Sequence, residues 1–114
     1  MTVQHEGLTK ERWAEFDSAR RILMIGNELH RASKWGAPEH VERRRSAQER
    51  ALALIDLTVA VETAPTFLRE LLRLRDCVAA SYIRHSDAPS DRELLRALLR
   101  FHPEAATQIP HVAA

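Results

Sequence analysis

The chain has 114 residues, of which 45% are hydrophobic and 29% charged, values typical of one globular domain spanning residues 1–114. Its formal charge of +1 argues against a domain that is strongly basic throughout, but not against a local basic patch. No apolar run approaches the ~18 residues that a membrane-spanning helix needs. Cys77 is the only cysteine, which excludes an internal disulfide. We therefore expect a cytoplasmic protein with no membrane association.

The longest apolar run covers residues 51–61 and is interrupted only by Asp56 and Thr58. On a helix its apolar side chains form two stripes at least 100° apart, so this helix must have neighbours on several sides. We expect it to be the central helix against which the others pack. Because a buried unpaired carboxylate is costly, Asp56 should bind an arginine, such as Arg75 or Arg20, or a hydroxyl, or else face water.

Hydrophobic periodicity predicts a first helix over residues 10–34, with Thr9 as its N-cap. Gly26 lies in the interior of this helix, where it costs about 1 kcal/mol relative to Ala. We expect the close approach of a neighbouring helix to be the reason for this glycine. His30 falls on the apolar face of the same helix. It is interpreted as a boundary histidine that binds a carbonyl, with a ligand or base role as the alternative.

Three further helices are predicted after breaks that contain proline. The second covers residues 38–62, and its polar first half, residues 42–50, is expected to project into solvent. The third covers residues 66–84. The fourth covers residues 91–102 and follows Ser90, which begins a capping box of sequence Ser-Asp-Arg-Glu.

Four amphipathic helices joined by short loops predict an all-α fold. The expected architecture is an antiparallel up-and-down four-helix bundle with a short C-terminal turn over residues 103–109. Leucine-rich faces occur on every helix and exceed what one small bundle needs to bury. A homodimer is therefore favoured.

The sequence contains no pattern of a known catalytic, metal or cofactor site. None of the six histidines has a carboxylate three residues before it, as a di-iron bundle requires. A lone cysteine excludes cysteine-rich zinc sites, and there is no glycine-rich phosphate loop. We therefore predict no catalytic residue, no metal and no cofactor. Cys77, in the middle of a helix, is expected to be buried and inert.

Arginines recur at helical spacing in the last two predicted helices. Arg92, Arg96 and Arg100 form a stripe on the fourth helix, and Arg69 and Arg73 form a shorter stripe on the third. If these helices are neighbours, the two stripes could merge into one cationic strip. A solvated face is the simpler interpretation, and an RNA-binding surface is the alternative.

Arg96 and His102 are separated by five residues, and this Arg-x5-His spacing resembles the motif of the helical HEPN ribonucleases. The resemblance implies RNA cleavage by these two residues. Pro103, which ends the helix at this point, departs from the expected geometry. The alternative function is accordingly an RNA-binding or HEPN-like ribonuclease module.

Trp35 lies at the end of the first helix beside Gly36, where it is expected to be half exposed and to anchor an interface. The other interpretation is that its ring covers the end of the bundle. With no catalytic constellation and many leucine-rich faces, the sequence predicts a non-catalytic protein–protein interaction module. It would be an adaptor, chaperone-like or regulatory protein of the bacterial-type cytoplasm, similar in size and plan to the small four-helix chaperones of bacterial export systems. The candidate interaction residues are Trp35, His30, Arg92, Arg96 and Arg100.

Overall fold

The computed structural model describes residues 9–83 and 90–100. These residues form five α-helices and no β-strand, so the described part of the chain is all-α. The helices are α1 (Lys10–Ala14), α2 (Ser18–Lys34), α3 (Val41–Val61), α4 (Pro65–Tyr82) and α5 (Asp91–Leu99), with a 3-10 turn (Pro38–His40) before α3. The predicted turn over 103–109 and the predicted helix ends at 84 and 102 lie outside the described residues.

The prediction of a single helix over residues 10–34 is wrong, because the helix breaks after Ala14. Asp17 has an extended backbone at the break, and its Oδ1 accepts a hydrogen bond of 2.8 Å from the amide of Arg20. Aspartate is favoured at an N-cap and disfavoured inside a helix, so it starts a new helix here. Thr9 caps α1 as predicted, accepting a hydrogen bond of 3.1 Å from a first-turn amide.

The short helix α1 is attached to α3 by Trp13. The side chain of Trp13 is fully buried, and its Nε1 donates a hydrogen bond of 3.0 Å to Oγ1 of Thr58. The Thr58 hydroxyl in turn donates to the carbonyl of Leu54 at 2.8 Å. Phe16 packs edge-to-face on the indole at a centroid distance of 5.6 Å. A polar residue inside the central apolar run thus gains both of its hydrogen bonds in the core.

Two ion pairs show that α2 and α3 run antiparallel. Arg21, near the start of α2, lies 3.9 Å from Glu62, just after the end of α3. Further along α2, Glu28 accepts a hydrogen bond of 2.8 Å from Arg50 in the first half of α3. Glu28 is only 3% exposed, so this contact joins the two helices from inside the molecule.

Two side-chain contacts show that α3 and α4 are also antiparallel. Arg75 donates to Asp56 at 2.6 Å, and the hydroxyl of Tyr82 donates to Glu49 at 2.8 Å. Asp56 therefore has one of the two arginine partners expected of it, Arg75 rather than Arg20, and its side chain also reaches water, being 54% exposed. The hydrogen bond to Asp56 raises the pKa of Arg75.

The hydrophobic core lies between the four longer helices. Helix α2 packs against α3 and α5, and α4 packs against the same two helices. The core cluster of buried side chains consists of Trp13, Ile22, Ile25, Leu29, Ala51, Leu54, Ile55, Leu74, Val78, Leu94, Leu95, Leu98 and Leu99. The run 51–61 contributes to this cluster and adds partly buried side chains around it. Helix α3 has α1, α2 and α4 as neighbours, as the two apolar stripes predicted.

Gly26 lies where α2 and α5 approach each other closely. A Cβ atom at this position would be 3.1 Å from Leu95 Cδ1, 3.6 Å from Leu99 Cδ2 and 3.7 Å from Leu98 Cδ2. The first of these distances is shorter than an ordinary van der Waals contact. The prediction that a neighbouring helix explains this glycine is confirmed.

Candidate interaction surfaces

A groove open to solvent runs between α4 and α5. One hollow in it has a volume of about 290 Å³ and is lined by Glu70, Arg73, Leu74, Cys77, Glu93, Leu94 and Ala97. A second hollow of about 400 Å³ shares Glu70 and is also lined by Ala64, Thr66, Phe67 and Arg100. Leu74 and Leu94 form an apolar floor between charged side chains of both signs. Cys77 is half-buried on this groove, so the expectation of full burial is wrong.

The solvent-facing side of α4 exposes two large apolar side chains. Leu72 is 49% exposed, and Ile83, at the C-cap of α4, is 68% exposed. Eleven residues correspond to about three helical turns, so both side chains lie on the same face. Leu71, Leu74 and Val78 face the core instead. Helix α4 thus presents apolar surface outward as well as inward.

The arginine stripes lie on the surface as the spacing predicted. Arg92, Arg96 and Arg100 are exposed on α5, and Arg69 and Arg73 are exposed on α4. Although α4 and α5 are neighbours, the groove between them carries Glu70 and Glu93, and Arg73 lies 3.5 Å from Glu70. The region where the two stripes could have merged into one strip therefore carries both signs of charge. His102 lies outside the described residues.

Trp35 is the C-cap of α2 and is half-buried. The guanidinium of Arg43 lies 4.7 Å from its ring centroid, and the ring of His40 packs on it edge-to-face at 4.9 Å. These contacts hold the indole against the start of α3 and leave part of it exposed. Its role as an interface anchor stays a prediction.

His30 is half-buried on α2, one turn after Gly26. Its Nδ1 is buried and has no hydrogen-bond partner among the described residues, so the expected bond to a loop carbonyl is not observed at this atom. Its own carbonyl accepts a hydrogen bond of 2.6 Å from the hydroxyl of Ser33. The position of His30, between the Gly26 contact and the end of α2, places it beside α5.

A buried polar cluster joins α3, α4 and α5. Arg44 donates to Asp91 at 3.2 Å and to both oxygens of Ser81, at 2.8 Å to the carbonyl and 2.9 Å to the hydroxyl. The amide of Gln48 donates to Asp91 at 2.8 Å and to Ser81 at 3.1 Å. All four residues are less than a tenth exposed. The polar half of the second predicted helix therefore does not project wholly into solvent.

The helical spacing of the sequence does indicate that the α3 members of this cluster, Arg44 and Gln48, are buried. Positions 44, 48, 51, 55 and 58 follow one another at three- or four-residue steps, and all five are buried on α3. The buried stripe of the central run thus continues into the polar half of the helix. Because arginine and glutamine are mostly exposed in proteins, these two polar residues were not recognised as part of the buried stripe.

Among the described residues, no three His, Cys, Asp or Glu side chains come together in a group that could bind a metal ion. None of the described helices combines the length and the apolar character needed to cross a membrane. Comparison with protein-family models, curated proteins and solved structures gives no match to this chain.

Proposed function

We propose that the chain is a non-catalytic protein–protein interaction module that uses α4 and its groove with α5 as the docking surface. The partner is a protein of the bacterial-type cytoplasm that presents an amphipathic helix, and the module acts as an adaptor, chaperone-like or regulatory protein. The observation that carries this proposal is the exposure of Leu72 and Ile83 on one face of α4.

Large apolar side chains that share a face favour an interface, because covering them removes apolar surface from water. Leu72 and Ile83 lie about three turns apart, a distance that one facing helix can cover. On another side of α4, the groove with α5 has an apolar floor of Leu74 and Leu94 with charged side chains beside it. An apolar centre with a polar rim is the usual composition of a binding surface.

The proposed architecture is the up-and-down four-helix bundle formed by α2 to α5, with α1 as a short addition. The antiparallel contacts of α2 with α3 and of α3 with α4 support this topology. In such a bundle α4 and α5 are sequential neighbours, and the groove between them is accessible from one side of the molecule.

The test compares Leu72→Asp with a matched control, Ala60→Asp. Both substitutions place a carboxylate on an exposed helical position, on α4 and on α3 respectively. Each tagged variant is used to capture partners from the native host, with washes at low and high salt. We expect the wild type and Ala60→Asp to retain one protein at near-equal stoichiometry through high salt, because apolar contacts resist salt.

Leu72→Asp should lose that protein while keeping a wild-type circular dichroism spectrum. If all three chains retain the same proteins equally, α4 is not the docking surface. If nothing is retained by the wild type at either salt concentration, the interaction-module proposal itself fails. A parallel Trp35→Ala variant tests whether the half-exposed indole is a second anchor, and unchanged affinity would exclude that role.

A further inference from the structure

The outer face of α4, which points away from both α3 and α5, carries a short row of exposed side chains. Arg75 points from α4 towards α3, where it binds Asp56, and Cys77, on another side of α4, lines the groove with α5. Between these two directions, helical rotation places the row within an arc of about 60°. The row consists of Arg69, Leu72, Asp76 and Ile83. We call it the α4 outer row.

Arg69 and Asp76 carry opposite charges and lie about two helical turns apart in this row. Both side chains are exposed, and within the described residues no ion pair includes either of them. Arg75, next to Asp76 in the chain, is bound to Asp56 at 2.6 Å. The α4 outer row therefore presents a cation and an anion, with the apolar Leu72 between them, to a molecule outside the chain.

The spacing of the row is complementary to itself when two copies of α4 lie antiparallel. Arg69 comes three residues before Leu72 and Asp76 four residues after it, at about 4.5 and 6 Å along the helix axis. When the two Leu72 side chains meet at a twofold axis, Arg69 of each copy therefore lies within about 1.5 Å, along that axis, of Asp76 of the other. Both charges then gain a partner, on either side of an apolar contact.

The opposite orientation does not have this property. A parallel pair of α4 helices places Arg69 beside Arg69 and Asp76 beside Asp76, and the repulsion between like charges disfavours that arrangement. The charges of the α4 outer row therefore favour a second copy in one specific orientation.

Ile83 extends the apolar contact beyond the charged pairs. It is 68% exposed and lies about 17 Å from Leu72 along α4. In the antiparallel pair it reaches the start of α4 in the second copy, where Ala64 and Pro65 are exposed. Because each copy contributes the same residues, the pair covers both exposed apolar side chains of α4 twice, and this removes apolar surface from water.

We propose that the α4 outer row binds the same row of a second copy of this chain, antiparallel around a twofold axis at Leu72, with two reciprocal ion pairs between Arg69 and Asp76. Because this second copy covers the Leu72 that carries the proposed function, the inference rests on that function and names its partner. An untagged copy of the chain is then the protein that the tagged wild type retains from the host. The groove between α4 and α5 lies on another side of α4 and stays open.

The test measures the dimer dissociation constant of the purified chain by sedimentation velocity at about 50 mM salt, where exposed ion pairs are least screened. Arg69→Asp leaves two negative charges in the row, and Asp76→Arg leaves two positive charges. The matched control, Arg92→Asp, makes the same change of charge on an exposed position of α5. Circular dichroism verifies that each variant is folded.

We expect Arg69→Asp and Asp76→Arg each to weaken the dimer about tenfold or more, because two attractive pairs become two repulsive ones. An equimolar mixture of these two variants should dimerise at least as tightly as the wild type, since both pairs are restored between unlike chains. Arg92→Asp should stay within about twofold of the wild type. Charge variants that dimerise as the wild type does, or a mixture as weak as its components, would overturn the proposal.

Disulfide cross-linking tests the orientation. Leu72→Cys and Ile83→Cys are each made in a Cys77→Ser background and oxidised in air. Leu72→Cys should form a covalent dimer, because the two copies of position 72 meet at the axis. Ile83→Cys should not, because the two copies of position 83 lie about 30 Å apart, far beyond the reach of a disulfide. Cross-linking of both variants would indicate a parallel pair and contradict the proposed arrangement.

The purified chain and the host capture separate this inference from the proposed function. A wild type that stays monomeric at 100 micromolar, yet captures a different protein that Leu72→Asp loses, would overturn the second copy as partner and support the proposed function. A purified dimer that Leu72→Asp leaves intact would contradict the assignment of this face to the second copy.

Discussion

Asp91 has two roles at the start of α5. It stands second in the capping sequence that begins with Ser90, whose hydroxyl accepts a hydrogen bond of 3.1 Å from the amide of Glu93. Its carboxylate also accepts hydrogen bonds from Arg44 and Gln48 inside the molecule. Asp91 is 7% exposed and Arg44 is 8% exposed, so each buried charge depends on the other for its stabilisation.

Replacement of Asp91 by Ala leaves the guanidinium of Arg44 buried without its carboxylate. We expect the free energy of unfolding to fall by about 3–5 kcal/mol, as measured by urea denaturation. The free energy of unfolding should fall less in the double variant Arg44→Met/Asp91→Ala, because no unpaired charge is then buried. An equal or greater loss in the double variant would show that the ion pair is not the stabilising element.

Tyr82 is the only tyrosine of the chain, so its ionisation can be followed alone by absorbance near 295 nm. Its hydrogen bond to Glu49 raises the pKa of the phenol, because that bond requires the neutral hydroxyl. We expect a titration midpoint above the ordinary value of about 10, and a lower midpoint in Glu49→Gln. Identical midpoints in the two chains would exclude this contact as the cause.

The direction of the Tyr82 shift determines its effect on stability. A raised folded-state pKa means that the folded chain holds the phenolic proton more tightly than the unfolded chain. The stabilisation is fully present below pH 10 and is lost as the pH rises through the folded pKa. The free energy of unfolding should therefore decline above pH 10 more steeply in the wild type than in Tyr82→Phe.

At the residue scale, the sequence predicts contacts that are local in the chain. The caps at Thr9 and Ser90 are examples, since donor and acceptor lie three residues apart. The contact between Arg44 and Asp91 spans 47 residues and depends on how three helices pack. Nothing in the neighbourhood of Asp91 distinguishes a buried partner from an ordinary first-turn carboxylate.

At the scale of the element, helices α1 and α2 show how a local preference overrides a longer pattern. Apolar side chains recur at helical spacing from Trp13 through Phe16 and Ala19, and this pattern predicts one continuous helix. Asp17 interrupts it because a carboxylate that caps a free amide is more stable than one placed in a helix interior. Periodicity therefore predicts the buried face of both helices but not the break between them.

Gly26 offers a test of how closely α2 and α5 pack. Gly26→Val should lower the free energy of unfolding by about 1–3 kcal/mol, because its added methyl groups meet Leu95 and the side chains beside it. Gly36→Val is the matched control, since a Cβ atom there has no neighbour within 4 Å. Urea denaturation should place Gly36→Val within about 0.5 kcal/mol of the wild type. Equal effects would show that backbone entropy, and not helix contact, explains both glycines.

At the scale of the whole molecule, surface character is divided among the helices. Helix α4 carries the exposed apolar residues Leu72 and Ile83, whereas α5 exposes Arg92, Arg96 and Arg100. The largest exposed apolar side chains of the described residues and the arginine stripe of α5 therefore lie on different helices.

For the homodimer expected from the sequence, the structure suggests which surface would form the interface. If two copies associate, α4 is the surface that they should share, because it exposes the largest apolar side chains among the described residues. Sedimentation velocity should then show a dimer at micromolar concentration, a monomer for Leu72→Asp and a dimer for Ala60→Asp. A wild type that stays monomeric at 100 micromolar would exclude the dimer.

The all-α class is predictable from the chain as a whole, because long amphipathic segments separated by proline-containing breaks allow little else. The charge that surrounds the arginine stripe of α5 is not predictable in this way. The spacing of Arg92, Arg96 and Arg100 predicts a stripe, but only the packing shows that Glu70 and Glu93 lie in the groove towards α4. A stripe can be predicted from the sequence of one helix, whereas a surface depends on how two helices pack.

The attachment of α1 through Trp13 has a consequence for the hydrogen exchange of its backbone amides. A helix of five residues is not stable by itself, and the break at Asp17 separates it from the helix that follows. Its amides should therefore exchange with deuterated solvent through a local opening that leaves α3 intact, at a lower free energy than global unfolding. During that opening the Thr58 hydroxyl would lose its hydrogen bond from the Trp13 indole, and the apolar side chains around the indole would become exposed to water. We therefore expect the buried indole of Trp13 to close one side of the core on a segment that detaches while the remaining helices stay folded.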